Sequence, residues 1–173
     1  EYVSLMLTLM TFALGFFARP FGAIILGSYT DRHGRRKGLI MALSLMSIGI
    51  MCVACTPSYA SIGIAAPIIV ILGRLLQGFS AGAELGGVVV YLAEIAPRNR
   101  RAFYTCWQAG SQQFAVMAAS IVGLVLLNTM STEALHDWGW RIPLLLGCAV
   151  IPLMFWLRSN LQETAVFAKK KTT

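Results

Sequence analysis

The sequence predicts an all-α integral membrane protein with five transmembrane helices. Of its 173 residues, 57% are hydrophobic and only 12% charged, and a mean hydropathy of +0.71 exceeds what a soluble domain of this length can bury. The apolar residues fall into five stretches, 5–27, 39–56, 64–95, 103–127 and 142–157, each near the roughly 20 residues that a bilayer core requires. None alternates with period two, which removes a barrel and leaves helices as the spanning structure.

The first stretch contains Arg19 beside Pro20, whose ring removes a backbone donor and frees the carbonyl of Phe16. Arg19 therefore has a local reading, bonding to freed backbone or snorkelling to the inner surface, beside a functional one. A charged bend follows: Gly27-Ser28-Tyr29-Thr30-Asp31-Arg32-His33-Gly34-Arg35-Arg36-Lys37-Gly38-Leu39. In the second stretch, Cys52 and Cys55 lie three apart on an apolar helix without further ligands nearby, which reads as packing rather than metal binding. The third is expected to be the longest helix, passing Glu94 before Pro97 ends it. The fourth carries Trp107, suited to an interfacial anchor, and a cluster of amides and hydroxyl at Gln108, Ser111, Gln112 and Gln113. The fifth is the shortest, with Pro143 expected in its first turn. Beyond Arg158, residues 159–173 read as the start of a cytoplasmic linker, with an interfacial helix through Phe167 and a frayed end from Lys169 to Thr173.

Charge sets orientation. Arg32, Arg35, Arg36 and Lys37 follow the first stretch, Arg98, Arg100 and Arg101 the third, and Arg158 with Lys169 to Lys171 the fifth, while 57–63 and 128–138 carry no Lys or Arg. Because Lys and Arg accumulate in cytoplasmic loops, the N-terminus is expected outside and the C-terminus inside. A net charge of +7 distributed in this way sets topology and meets anionic lipid of the bilayer, so no nucleic-acid partner is expected. The chain begins with Glu1, has no basic n-region and enters its first span from outside; one more N-terminal helix would give six spans, the usual half of a two-half transporter. Residues 1–158 are accordingly expected to be a partial N-terminal bundle, inactive in transport by itself.

Enzyme chemistry finds no foothold. Cys106 and Cys148 are isolated within spans, His33 and His136 lie away from other ligands at metal spacing, and no nucleophile triad, phosphate loop or zinc motif appears. No cofactor or metal is expected. What remains is polar groups inside the spans, each costing about 2.5–3.5 kcal/mol on insertion scales. Arg74, Gln77 and Glu84 fall within roughly 80° of one another on the third helix, and Tyr91 extends that face. Gly78, Gly82 and Gly86 form a neighbouring stripe for close helix approach, so one face is expected to pack and the other to be wet. Arg74 and Glu84 lie about 15 Å apart along the helix, too far to pair, so each needs its own partner. A carboxyl in that setting can exchange a proton as its surroundings change, which makes Glu84 the candidate for proton coupling.

The charged bend resembles the signature between helices two and three of the major facilitator superfamily, with Gly27, Asp31, Arg32, Gly34, Arg35, Arg36 and Leu39 in place and Tyr29 where Leu is common. Arg74-x-x-Gln77-Gly78-x-x-x-Gly82 resembles the superfamily's helix-four motif, associated with proton-coupled members. Arg19-Pro20-x-Gly22, Gly82-Ala83-Glu84-Leu85-Gly86-Gly87, Asp137-Trp138-Gly139-Trp140-Arg141-Ile142-Pro143 and Leu161-Gln162-Glu163-Thr164 resemble the metabolite:proton symporter branch. The segments from Glu84 to Ile95 and from Phe103 to Gln113 look closest to its citrate and tricarballylate symporters.

The resemblance implies helices two to six of an N-terminal six-helix bundle in a transporter working by alternating access in a bacterial inner membrane. Arg19 and Arg74 are then the cations available to a small organic acid, with Gln77, Gln108 and Gln112 as neutral hydrogen-bonding groups. Glu84 takes the proton-coupling role, with Arg74 joining it by modulating a carboxyl elsewhere. Gly27, Asp31, Arg32, Gly34, Arg35 and Arg36 form a cytoplasmic gate that Glu94 and Arg101 join, Asp31 contacting the opposite bundle. Helix one and the C-terminal bundle of the same transporter are the implied protein partners. Two other readings stand beside this one: a symporter of the same branch for an osmolyte, shikimate or dicarboxylate, and a non-transporting membrane sensor or scaffold.

Overall fold

A computed structural model of the chain describes residues 2–57 and 59–161. Its elements are α1 (Tyr2–His33), α2 (Arg35–Ala54), a short α3 (Tyr59–Ile62), α4 (Ala65–Ile95), α5 (Arg101–Thr129), a single turn α6 (Thr132–Ala134) running into a π turn at Leu135–Gly139, and α7 (Arg141–Ser159). The five long helices are each apolar and long enough to cross a bilayer.

The charged bend is almost entirely helical. α1 continues through His33 and α2 opens at Arg35, leaving Gly34 as the one residue between them. Arg and Lys are good helix formers, and Arg32 and His33 lie at the C-terminal end of α1 where the helix dipole favours cations. Gly34 makes the turn with φ 108° and ψ 151°, a backbone conformation reserved in practice for glycine. Its N–H still donates to the Thr30 carbonyl, and its own carbonyl accepts from Gly38, so both helix ends stay bonded across the break. This extension makes α1, at 32 residues, one longer than α4, at 31, so the third span is not the longest helix as expected, although Ala65–Ile95 remains the longest candidate membrane span. α4 does end ahead of Pro97, with Ala96 extended as the residue before a proline prefers, and Pro143 sits in the first turn of α7.

α4 is the centre of the packing. On one side Gly78 and Gly82 lie directly against the backbone of Gly15 and Arg19, and Gly22 returns the contact against Phe79; a side chain at any of the three would overlap α1 or α4 backbone. On the other side Gly73 and Gly49 face each other between α4 and α2, and the buried Ser80 hydroxyl donates to the Ala42 carbonyl. Helices in lipid gain no hydrophobic drive from one another, so such close backbone approach supplies the dispersion contacts that hold them. Gly86 meets nothing within 4 Å, so the packing stripe ends at Gly82. α7 lies along α2, and α5 runs beside α4 with no buried residue. Phe17, Ile24, Trp107, Leu124 and Trp156 are exposed on the outside, the surface that lipid covers in an integral membrane protein.

Past Ser159 the chain turns at Asn160. The interfacial helix expected through Phe167, the end from Lys169 to Thr173 and most of the 159–173 linker lie outside the described residues.

Candidate functional site

The close approach of α1 to α4 at Gly15 and Gly78 leaves a cleft of about 320 Å³ beside it, lined by Phe12, Phe16, Arg19, Met46, Arg74 and Gln77 among others. Each arginine rests on an aromatic face of α1. The Arg19 guanidinium carbon lies 4.1 Å from the Phe16 ring centroid and that of Arg74 lies 4.4 Å from Phe12. Such stacking orients a guanidinium while leaving its N–H groups free to donate. Arg74 Nη1 donates to Gln77 Oε1 at 3.1 Å, one turn along the same helix. The buried Nε of Arg19 has no hydrogen-bond partner among the described residues. An unpaired buried donor is costly, and an anionic ligand would relieve it. Two planar cations and an amide converging on one cleft suit a carboxylate more than a neutral solute.

The amides of the fourth span are placed elsewhere. Gln108 is half-buried and Gln112 exposed on α5, and neither lines the cleft. Ser111 donates to the Gln108 carbonyl within that helix.

Glu84 does not share the wet face expected to run from Arg74 through Gln77 to Tyr91. Arg74 and Gln77 line the α1 side of α4, whereas Glu84 Oε1 accepts from Arg158 Nη2 of α7. Helices that cross meet different neighbours at different depths, so an 80° face on one helix need not be one environment. Tyr91 is buried. Arg158 also donates through Nη1 to the Leu39 carbonyl of α2 at 2.7 Å and is 7% exposed, the one buried charged residue among those described. In the sequence Arg158 reads as a topology-setting cation. The available signal was the shortness of the fifth apolar stretch, which keeps Arg158 within the helical packing instead of beyond it.

A second charged cluster occupies the Gly34 end. Arg35 Nη1 meets Asp31 Oδ1 at 2.5 Å, while its Nη2 and Nε meet Glu94 Oε1 at 3.1 and 3.3 Å. Arg35 thus ties the end of α1 to the start of α2 and the end of α4. Asp31 remains well exposed, and Glu94 Oε2 is buried without a partner among the described residues. Next to it lies a cavity of about 160 Å³ lined by Gly27, Thr30, Asp31, Arg35, Gly86 and Gly87, among others. Arg32 and Arg36 are exposed on either side of Gly34, and Arg101 is exposed at the start of α5, apart from the Arg35 ion pairs.

The chain matches the family model described as sugar (and other) transporter over residues 1–173. It is 54% identical over 171 residues to a citrate-proton symporter of Salmonella typhi, covering 99% of this chain and 39% of that protein. The α-ketoglutarate permease of Escherichia coli strain K12 is 39% identical over 161 residues, covering 93% of this chain and 37% of the permease. The chain therefore spans about two fifths of the length of the curated relatives it matches. Among solved structures, the partially occluded inward-open xylose transporter XylE from E. coli superposes with a TM-score of 0.82 at 18% identity, over 92% of this chain and 38% of that one. A double tryptophan mutant of XylE gives 0.84 at 19% identity, over 97% and 38%. At such identity the structural likeness speaks for the fold alone. With the helix order, the glycine-packed α1 and α4 and the Arg35 cluster in place, these matches show that the chain belongs to the sugar (and other) transporter family of the major facilitator superfamily.

Proposed function

We propose that this chain is the part of a proton-coupled symporter that provides one wall of a site for a tricarboxylate such as citrate. The observation that carries this reading is the convergence of Arg19 and Arg74 with Gln77 on one cleft. The citrate-proton symporters at 54% identity support the substrate class and the coupling ion. In a transporter of the relatives' length, a first helix and a C-terminal bundle complete the site, and Gln108 and Gln112 on α5 supply further neutral hydrogen bonds. Arg19 and Arg74 bind carboxylates, and Gln77 orients Arg74 and bonds a substrate oxygen. Glu84 exchanges the coupled proton, and Arg74 acts on a carboxyl elsewhere in the transporter.

The cytoplasmic gate consists of Gly27, Asp31, Arg32, Gly34, Arg35 and Arg36, with Glu94 and Arg101 at its rim. The exposed Asp31 carboxylate is positioned by Arg35 to engage the opposite bundle when the inside is closed. The protein lies in a bacterial inner membrane with the start of α1 outside and residues 159–173 leading into a cytoplasmic linker. Its low-molecular-weight partners are a small organic acid and protons.

Uptake of labelled citrate into vesicles carrying the full-length transporter, under an imposed inward proton gradient, tests this reading. Gradient-dependent uptake that collapses in Glu84→Gln is the expected result. No citrate uptake by an inserted, folded transporter would overturn the citrate assignment. Uptake of labelled α-ketoglutarate, proline, betaine or shikimate by the same vesicles would then redirect it, since α-ketoglutarate permease and proline/betaine transporters are also relatives.

A further inference from the structure

The ion pair between α4 and α7 belongs neither to the cleft nor to the cytoplasmic cluster. α7 is fastened at both ends by arginine-to-carbonyl bonds, Arg141 Nη2 to Thr56 O just past the end of α2 at 3.0 Å and Arg158 Nη1 to Leu39 O near the start of α2 at 2.7 Å. The two arginines have the same seventeen-residue separation as the two acceptors, in opposite chain order, so the helices lie antiparallel and in register. At the Arg158 end a third helix joins, because the same guanidinium holds Glu84 of α4.

Few other charges face Glu84. Ser80 and Gly87, which flank it on α4, meet Ala42 and Leu39 of α2, and residues 39–42 contain no ionisable group. α5 has none between Trp107 and Thr129, and residues 142–157 of α7 offer one thiol, Cys148. From α1 comes Arg19, whose backbone meets Gly82 but whose guanidinium lies over Phe16 in the cleft. Among the described residues, then, Arg158 is the cation paired with Glu84.

We propose that Arg158 is a positioning residue for proton coupling: it holds the Glu84 carboxylate at the junction of α2, α4 and α7, and the proton is carried by exchange with this ion pair. A proton taken from the outer side onto the carboxylate removes its charge and frees Arg158 from α4, while the bond to Leu39 still holds α7 to α2. When the pair re-forms, the proton leaves toward the inside and charge balance is restored. The proposal rests on the proton-coupled reading above.

The test uses the full-length transporter with Arg158→Met, Arg158→Lys, Glu84→Gln and the neutral pair Glu84→Gln/Arg158→Met. Two assays are run in vesicles: gradient-driven uptake, and exchange of labelled for unlabelled citrate without a gradient. A residue that positions the coupling group affects the first and spares the second. We expect Arg158→Met to lower gradient-driven uptake about tenfold or more and exchange less than about threefold. Arg158→Lys should fall between it and the parent. The neutral pair should match Glu84→Gln, since both lack the same exchange, and it removes the stranded carboxylate that would make Arg158→Met fold poorly. Uptake and exchange falling in parallel in the neutral pair, or gradient-driven uptake persisting in it, would overturn the proposal. Failure of the symporter reading shows separately, as absent gradient dependence in the unmodified transporter.

Discussion

Arg35 answers two carboxylates at once, and its removal should be felt most at Glu94. Glu94 already has one buried oxygen without a partner among the described residues, and Arg35 supplies both bonds to the other. In the full-length transporter, Arg35→Ala should lower the thermal midpoint in detergent, by about 1–3 kcal/mol of stability for a charge left without its bonds. Adding Glu94→Gln should recover part of that loss; no recovery would mean that the pair does not hold α2 to α4. At Gly38 the test is steric. Any Cβ there would overlap Thr30, which is buried and donates its hydroxyl to Leu26 at 2.7 Å, so Gly38→Ala should cost about 1–3 kcal/mol through overpacking, read as a lower unfolding midpoint. Gly38 was visible in the sequence as part of the charged bend, but Thr30 as the group above it was not, because that contact depends on the turn at Gly34.

The helices are more continuous than their apolar stretches. Hydropathy marks where side chains enter lipid, whereas helix ends are set by backbone conformation, so α1 carries its hydrogen bonds through Asp31 and Arg32 until Gly34 interrupts it. Gly34→Ala puts a Cβ on a backbone at φ 108° and should cost about 1–3 kcal/mol, seen as a lower unfolding midpoint or as a change in the cross-linking yield between cysteines placed on either side of the bend. The four-residue glycine stripe of α4 was legible as a packing surface, yet only Gly78 and Gly82 serve α1 that way. Gly82→Val should therefore separate α1 from α4 and destabilise the bundle, while Gly86→Ala should leave its thermal unfolding unchanged. Equal effects at the two positions would contradict the α1–α4 seam.

For the molecule as a whole, class and family were readable because they rest on local features: five apolar stretches, alternating cation-rich connections, and charged and glycine motifs within short windows. The relation of Glu84 to Arg158 was not, since 74 residues separate them and each has an ordinary local explanation. The cleft lay between these cases. Arg19, Arg74 and Gln77 were recognisable as polar groups out of place in lipid, but their convergence depends on the register of α1 against α4 fixed by Gly15 and Gly78, while Gln108 and Gln112 on α5 lie outside the cleft. We infer that this cleft recognises carboxylates. Its most direct test is the KM for citrate in vesicles carrying the full-length transporter, compared with Arg19→Gln and Arg74→Gln. Loss of one charge-assisted contact should raise KM about tenfold or more for each, with the protein still inserted and folded. An unchanged KM in both variants would mean that carboxylates bind elsewhere.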